Sequence, residues 1–300
     1  MILRFIDRVI DSYKGSLDAA DAKRLEYFRG LWGEMERWAD SPSAAVKSYA
    51  VPSADALAAA WDANTPAFRM APPKIKRDRF CAVCAGIRNY MVGSGVLSAE
   101  DAKAFAEVDF LGLVDRADME AAAGDADAFL GGLLAKALER GLSEDIARLA
   151  VLCALLALRV DLEPVAKKVA KEQKRCDCDG HHPLRCPVCG SAPALARVGG
   201  ADSPTEGRGR TLYCMQCGTD WEFERVRCAR CGTKNQGHLH FFNIEGDDAH
   251  RLALCDECGS YIRTVYIDEP LVPFSYEVEE VLTARLDALA NDPKFKEKSE

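Results

Sequence analysis

The chain has 300 residues, is 48% hydrophobic and carries a formal net charge of -8. That composition supports one large core or two ordinary domains and excludes wholesale disorder. The acidic balance argues against a uniform nucleic-acid-binding surface, because a phosphate backbone is held by clustered lysine and arginine.

The N-terminus, MILRFIDRVIDSYKG, breaks its apolar run with charges and has no signal-peptide core. The region 1–175 reads as mainly helical. LDAADAKRLEYFRGLWGEMERWA has apolar residues at helical spacing. A proline-containing break follows, then a helix for which Ser53 is a candidate cap. Ser98 with Asp101 three residues on forms an acidic variant of the capping box, and Ser143 is a further candidate cap. The most apolar stretch, Ile146 to Val160, is too short for a membrane span and suits a buried helix containing Cys153. LEPVAKKVAKEQKRC continues the helical pattern. The chain therefore reads as soluble, with no membrane span, and cytoplasmic.

Composition changes near CDCDGHHPLRC. From Leu184 to Pro270 short strand-like runs appear: TLYC, WEFERV, HLHFFNI and YIRTVYI. A last helix is expected from Ser275 to Ala290, with a frayed tail beyond it. The predicted fold is α+β: a helical domain over 1–175, a linker with extra cysteines at 176–183, two tandem rubredoxin-like or zinc-ribbon-like modules, and a C-terminal helix and tail over 271–300. Each module is a ribbon built around four cysteines, the first at 184–223 and the second at 224–270.

Thirteen cysteines in this setting indicate metal before disulfides. Eight fall in four CxxC pairs, each followed by glycine, where a tight turn needs a permissive backbone. The pairs form a repeat. Cys189 and Cys214 are separated by 24 residues, Cys231 and Cys255 by 23, and only ten separate Cys217 from Cys228. The economical assignment places Cys186, Cys189, Cys214 and Cys217 around one ion and Cys228, Cys231, Cys255 and Cys258 around another; an interleaved arrangement is the alternative. Four thiolates fill a tetrahedral shell of zinc or iron and leave no position for catalytic water. The spacing does not choose between the two metals.

Cys81 and Cys84 fall in a helical setting, while Cys176 and Cys178 have His181 and His182 close by. They read either as reduced thiols, the simpler account, or as halves of a third metal or redox site. The segment from Leu184 to Pro270 has ten arginines and lysines against twelve acids, so Arg225, Arg227 and Arg230 read as ordinary surface arginines before a nucleic-acid stripe. Trp221 and Phe223 alternate as ribbon core residues do. No serine–histidine–acid spacing, phosphate loop or dinucleotide fingerprint is present, so the chain reads as a non-enzyme.

The stretches RCPVCGSAPALARV (Arg185 to Val198), RTLYCMQCGTDWEFERVRCARCG (Arg210 to Gly232) and ALCDECGSYIRTV (Ala253 to Val265) resemble the formate dehydrogenase accessory proteins, the FdhE family. The resemblance implies a cytoplasmic assembly factor that binds the catalytic subunit of a formate dehydrogenase, a molybdenum or tungsten enzyme. It also implies iron in two rubredoxin-like sites on the two quartets, with zinc as the alternative. Two further readings remain open on the residues alone: a nucleic-acid-binding ribbon protein, which the acidic balance disfavours, and a thiol or iron redox protein.

Overall fold

A computed structural model describes residues 3–175, 182–200, 209–268 and 272–291. Its helices are α1 (Leu3–Ser12), α2 (Ala19–Ala39), α3 (Ala44–Lys47), α4 (Ala54–Asp62), α5 (Ala67–Met70), α6 (Arg77–Gly93), α7 (Ala99–Ala106), α8 (Phe110–Leu113), α9 (Arg116–Ala122), α10 (Ala126–Glu139), α11 (Glu144–Gln173), α12 (Tyr276–Leu282) and α13 (Ala284–Ala290). The strands are β1 (Leu195–Gly199), β2 (Arg210–Tyr213), β3 (Asp220–Phe223), β4 (Leu239–Asn243), β5 (His250–Cys255) and β6 (Ser260–Ile267).

The helical part is arranged around α11, which packs against α2, α6 and α10. Its alanine and leucine run is buried nearly all round, which is why that stretch is apolar without amphipathic relief. The helix continues through Pro164 to Gln173. The expected caps form. The Ser53, Ser98 and Ser143 side chains accept from the N–H groups of Ala56, Asp101 and Ile146, satisfying donors the first turn leaves unpaired. Asp101 does not complete a reciprocal box. Its carboxylate accepts a hydrogen bond from the Ser98 hydroxyl instead, at 2.7 Å. The full reciprocal box lies at Asp115 and Asp118, where each side chain accepts from the other's backbone N–H.

The strands make one six-stranded sheet in the order β3-β2-β1-β6-β5-β4. Each cysteine module supplies an antiparallel three-stranded half, β1-β2-β3 and β4-β5-β6. The halves join through parallel pairing of β1 with β6, with Leu195 opposite Arg263 and Val198 opposite Tyr266. The two ribbons are therefore fused edge to edge, which removes one free edge from each. The expected single C-terminal helix is two segments, α12 and α13, meeting at Thr283, whose hydroxyl donates back to the Glu279 carbonyl at 2.6 Å. The same carbonyl also accepts the Thr283 N–H at 2.8 Å, so the hydroxyl shares the acceptor of the last ladder bond.

The largest core cluster runs without interruption from the helices into the first module. It includes Phe68, Leu156 and Val169 together with Cys186, Val188, Cys189, Leu212, Cys214, Cys217 and Trp221. On the second module, Ala229 and Ile262 also join this cluster, whereas Leu252 lies in a small separate one with Leu286 and Ala290 of α13.

Candidate metal centres

The eight cysteines of the repeat come together as two quartets, in the register the duplication implies. Within each quartet the ligand sulfurs all lie within 4.8 Å of one another, and these are the two such groups of potential metal ligands among the described residues. In the first, Cys186 Sγ is 3.6 Å from Cys217 Sγ and Cys189 Sγ is 3.4 Å from Cys214 Sγ. In the second, Cys228 to Cys258 and Cys231 to Cys255 are both 3.8 Å. A tetrahedron of metal–sulfur bonds of about 2.3 Å has edges of about 3.8 Å. Both donor sets thus fit a four-coordinate zinc or iron ion, and each quartet is capable of coordinating one.

The local backbone explains the geometry. Gly190, Gly218, Gly232 and Gly259 all take positive φ, between 63° and 83°, which returns the chain after each CxxC. The N–H groups of Gly190, Gly218 and Gly232 donate to the carbonyls of Cys186, Cys214 and Cys228. In the second quartet the N–H groups of Arg230 and Cys231 point at Cys228 Sγ, at 3.3 and 3.5 Å. Burial opposes thiolate formation there, but these donors outweigh it and lower Cys228 to about 7.

The surroundings of the two quartets differ. All four cysteines of the first are buried, as are Pro187 and Val188 inside its first turn. Two elements of the helical part clamp it. The N–H groups of Ala67 and Phe68 at α5 donate to the Pro187 and Val188 carbonyls, at 3.0 and 2.8 Å. On the other side, Gln216 Nε2 donates to the Leu155 carbonyl at 3.3 Å, and Arg159 Nη1 to the Met215 carbonyl at 3.2 Å, so α11 holds the second turn. Arg159 is itself buried and bridges Glu163 at 3.2 Å and Glu277 of α12 at 2.6 Å. Burial alone raises Glu163, yet Arg159 and Lys167 hold it down to about 2.

In the second quartet Cys228 and Cys255 are buried while Cys231 and Cys258 are exposed. The residues inside its second turn, Asp256 and Glu257, are also exposed. They face histidines: His240 Nε2 lies 2.7 Å from Asp256 and His238 Nδ1 3.5 Å from Glu257. Arg210, buried on β2, donates to the Arg227 carbonyl beside Cys228 and lies over the Phe223 ring. Burial lowers Arg210 to about 10. Among the described residues it has no carboxylate partner within ion-pair distance.

The remaining residues singled out from the sequence fall elsewhere. Cys81 and Cys84 are buried on α6, and Cys153 is buried on α11 with its carbonyl 3.9 Å from Cys84 Sγ. Burial pushes the Cys81 thiol up to about 11 and raises Cys84 and Cys153 as well, which suits inert core thiols. Cys176, Cys178 and His181 lie outside the described residues. The His182 carbonyl accepts from Arg227, which also pairs with Glu224 at 3.0 Å. Arg230 Nε donates to the Tyr261 carbonyl. Arg227 and Arg230 are thus engaged with the fold itself. Trp221 and Phe223 are buried, whereas Phe241 on β4 is an exposed aromatic, at 56%. The structural roles of Arg159, Arg210 and Glu163 are not visible in the sequence, because nothing local distinguishes a buried arginine from a surface one.

No family model matches the chain. A protein FdhE homolog of Aquifex aeolicus is 30% identical over 165 residues, covering 54% of each chain. Protein FdhE of Escherichia coli O1:K1 is 37% identical over 89 residues, 29% of this chain and 27% of that one. The matches thus span about half, or less, of the length of these curated relatives. Among solved structures, the FdhE protein from Pseudomonas aeruginosa superposes with a TM-score of 0.58 over 96% of this chain and 89% of that one, at 15% identity, and so shares the fold. No helix among the described residues is long and apolar enough to cross a membrane. Over these stretches the chain is thus similar in sequence to FdhE proteins, and it shares its fold with one of them.

Proposed function

We propose that this protein is an accessory factor that binds the catalytic subunit of a formate dehydrogenase and supports its maturation without oxidising formate itself. The similarity to FdhE proteins supplies the partner. The observation that carries the non-catalytic part is the donor set: each quartet offers four sulfurs at tetrahedral spacing, which closes the shell of a bound ion. On this reading Cys186, Cys189, Cys214 and Cys217 hold one iron ion and Cys228, Cys231, Cys255 and Cys258 a second. Iron rests on the resemblance to rubredoxin-like sites; zinc satisfies the same sulfurs. A tetrathiolate iron supplies at most one-electron chemistry, and here its larger contribution is coupled binding and folding of a short-stranded module. The units of this reading are a helical domain at 1–175, a linker at 176–183, ribbons at 184–223 and 224–270, and a C-terminal segment at 271–300, acting in the cytoplasm.

The test is a pulldown of the fully metallated chain against a formate dehydrogenase catalytic subunit, with metal analysis and a formate oxidation assay alongside. Retention of the subunit, two ions per chain and no formate oxidation is the expected outcome. Failure to retain the subunit, together with DNA or RNA binding of steep salt dependence, would replace this reading with a nucleic-acid ribbon. Iron is distinguished from zinc by a thiolate-to-metal absorption that reversibly bleaches on reduction.

A further inference from the structure

We propose that the two metal centres are unequal, the first a fixed centre and the second an exchangeable one, with Cys231 and Cys258 as the ligands that open to solvent. This rests on the reading of both quartets as metal sites and adds a division of labour between them.

Three observations carry it. The first is access. A competing donor attacks a closed tetrahedral ion only by approaching beside a ligand that can swing away. All four cysteines of the first quartet are buried, whereas Cys231 and Cys258 are exposed. The second is what each turn is tied to. Both turns of the first quartet are hydrogen-bonded to the helical part, through Ala67 and Phe68 on one side and Arg159 and Gln216 on the other. Releasing that ion requires disturbing the largest core of the molecule, which includes all four of its cysteines. The turn holding Cys258 is fastened instead by the Asp256 N–H to the His238 carbonyl, at 3.0 Å, and by half-exposed histidine–carboxylate pairs. Bonds of that kind open at small cost. The third is charge. The turns of the first quartet contain Pro187, Val188, Met215 and Gln216, all uncharged. Those of the second contain Ala229 and Arg230, whose guanidinium is bonded to the Tyr261 carbonyl, and Asp256 and Glu257, both exposed, so the Cys258 turn is the acidic one and draws cations to that face.

The exchange is a ligand substitution without oxidation. The bond from the ion to the Cys231 or Cys258 sulfur breaks as a bond to the incoming donor forms. The freed thiolate takes a proton from water, and the ion keeps its charge. The incoming donor belongs to the soft class, a thiolate or a nitrogen–sulfur chelator, and the ion is a divalent zinc or iron.

The experiment uses the full chain loaded anaerobically with zinc alone. Total metal is measured first, and a colorimetric chelator then follows release in time. Two ions per chain at the start, leaving in two phases of one ion each with rates at least about tenfold apart, is the expected result. Fewer than two ions at the start would remove the two-site reading itself. Two ions leaving together at one rate would leave that reading standing and overturn the inequality. Thiol alkylation read by mass spectrometry assigns the phases on the unaltered protein: Cys231 and Cys258 should be modified in step with the fast phase, before any cysteine of the first quartet. Cys258→Ser should abolish the fast phase and leave the slow one with unchanged helicity. Early modification of Cys186 or Cys217, or a fast phase that survives Cys258→Ser, would overturn the proposal.

Discussion

The two modules are near copies in sequence and unequal in the fold. Each has two CxxC-Gly turns, a three-stranded antiparallel half-sheet and sulfurs at tetrahedral spacing. The two half-sheets take opposite ends of the shared sheet, but all four cysteines of the first lie in the core that runs from the helices, while two of the four in the second are exposed. Coordination geometry is therefore a property of the repeat, whereas stability and access are properties of what the repeat is packed against. The anchors differ as well. The first module is tied to α11 and α12 through Arg159. The second is tied to α12, α13 and the residue just after α1 through His250, which lies 2.9 Å from both Asp247 and Glu279, with Tyr13 also bonded to Glu279 and Arg285 to Asp247.

The largest test of this contrast removes a ligand from each quartet in turn. Cys189→Ser should lower metal content from two ions to one and cost at least about 4 kcal/mol, because a lost metal in a continuous core is among the most destabilising single changes. Proteolysis should then open both residues 184–223 and the α5 segment bonded to Pro187. Cys258→Ser should also lose one ion, yet leave helical protection intact. Equal loosening of the helices by both variants would break the contrast.

Next comes the anchor of the first module. Arg159→Met leaves Glu163 and Glu277 buried without their shared cation, and such changes cost about 3–5 kcal/mol. Thermal unfolding should report the loss. Slow-phase metal release should accelerate while the fast phase is unaltered, since the hydrogen bonds of Arg159 among the described residues reach Glu163, Met215 and Glu277, none of them in a turn of the second quartet.

The anchor of the second module is sensitive to pH instead. Burial disfavours the charged imidazole, but hydrogen bonds and charge from Asp247 and Glu279 outweigh it and raise His250 to about 9 from 6.5. A folded value above the unfolded one means its stabilisation is complete below about 6.5 and lost as pH rises through about 9, amounting to at most about 3 kcal/mol. Asp247 is shifted the other way: burial opposes it, but His250 and Arg285 hold it below the usual carboxylate range, so its contribution is lost only in acid. Hydrogen exchange across β5 in the metallated protein should therefore speed up between pH 7 and 9 beyond the intrinsic rate, and more than across α11. A His250→Gln variant should remove that extra dependence.

Much of this is legible from the chain. The pairing of cysteines follows from duplicated spacing, and the caps at Ser53, Ser98 and Ser143 from one side chain placed before a periodic run. Four strands announce themselves by β-branched and aromatic residues; β1 and β5, with Ala196 and Ala253 in their interiors, do not. The parallel union of β1 with β6 leaves no local mark, because its partners are more than sixty residues apart and neither carries turn chemistry toward the other. The break at Thr283, where both its N–H and its hydroxyl donate to the Glu279 carbonyl, leaves no mark in the periodicity either. The inequality of the quartets does have a counterpart in the sequence, visible once the burial is known: Pro-Val and Met-Gln inside the first pair of turns, against Ala-Arg and Asp-Glu inside the second. The uncharged residues sit in turns that the core covers, and the two acids in the turn that faces water, while Ala229 is buried despite its arginine neighbour.

The smallest effect belongs to the cysteines outside both quartets, and it checks that metal is confined to the repeat. Cys153 is fully buried on α11, 3.8 Å from the Met91 sulfur. Its thiol is raised by burial, so it stays protonated and neither attacks nor ligates at neutral pH. Cys153→Ala removes one sulfur atom from a closely packed site and leaves a small void, costing about 1–2 kcal/mol. Metal content should remain at two ions per chain and both release phases should keep their rates. A loss of metal in this variant would mean that the α6–α11 thiols take part in binding an ion. A loss of slow-phase integrity alone, with full occupancy, would mean that the helical core clamps the first centre even more tightly than its backbone bonds to α5 and α11 require.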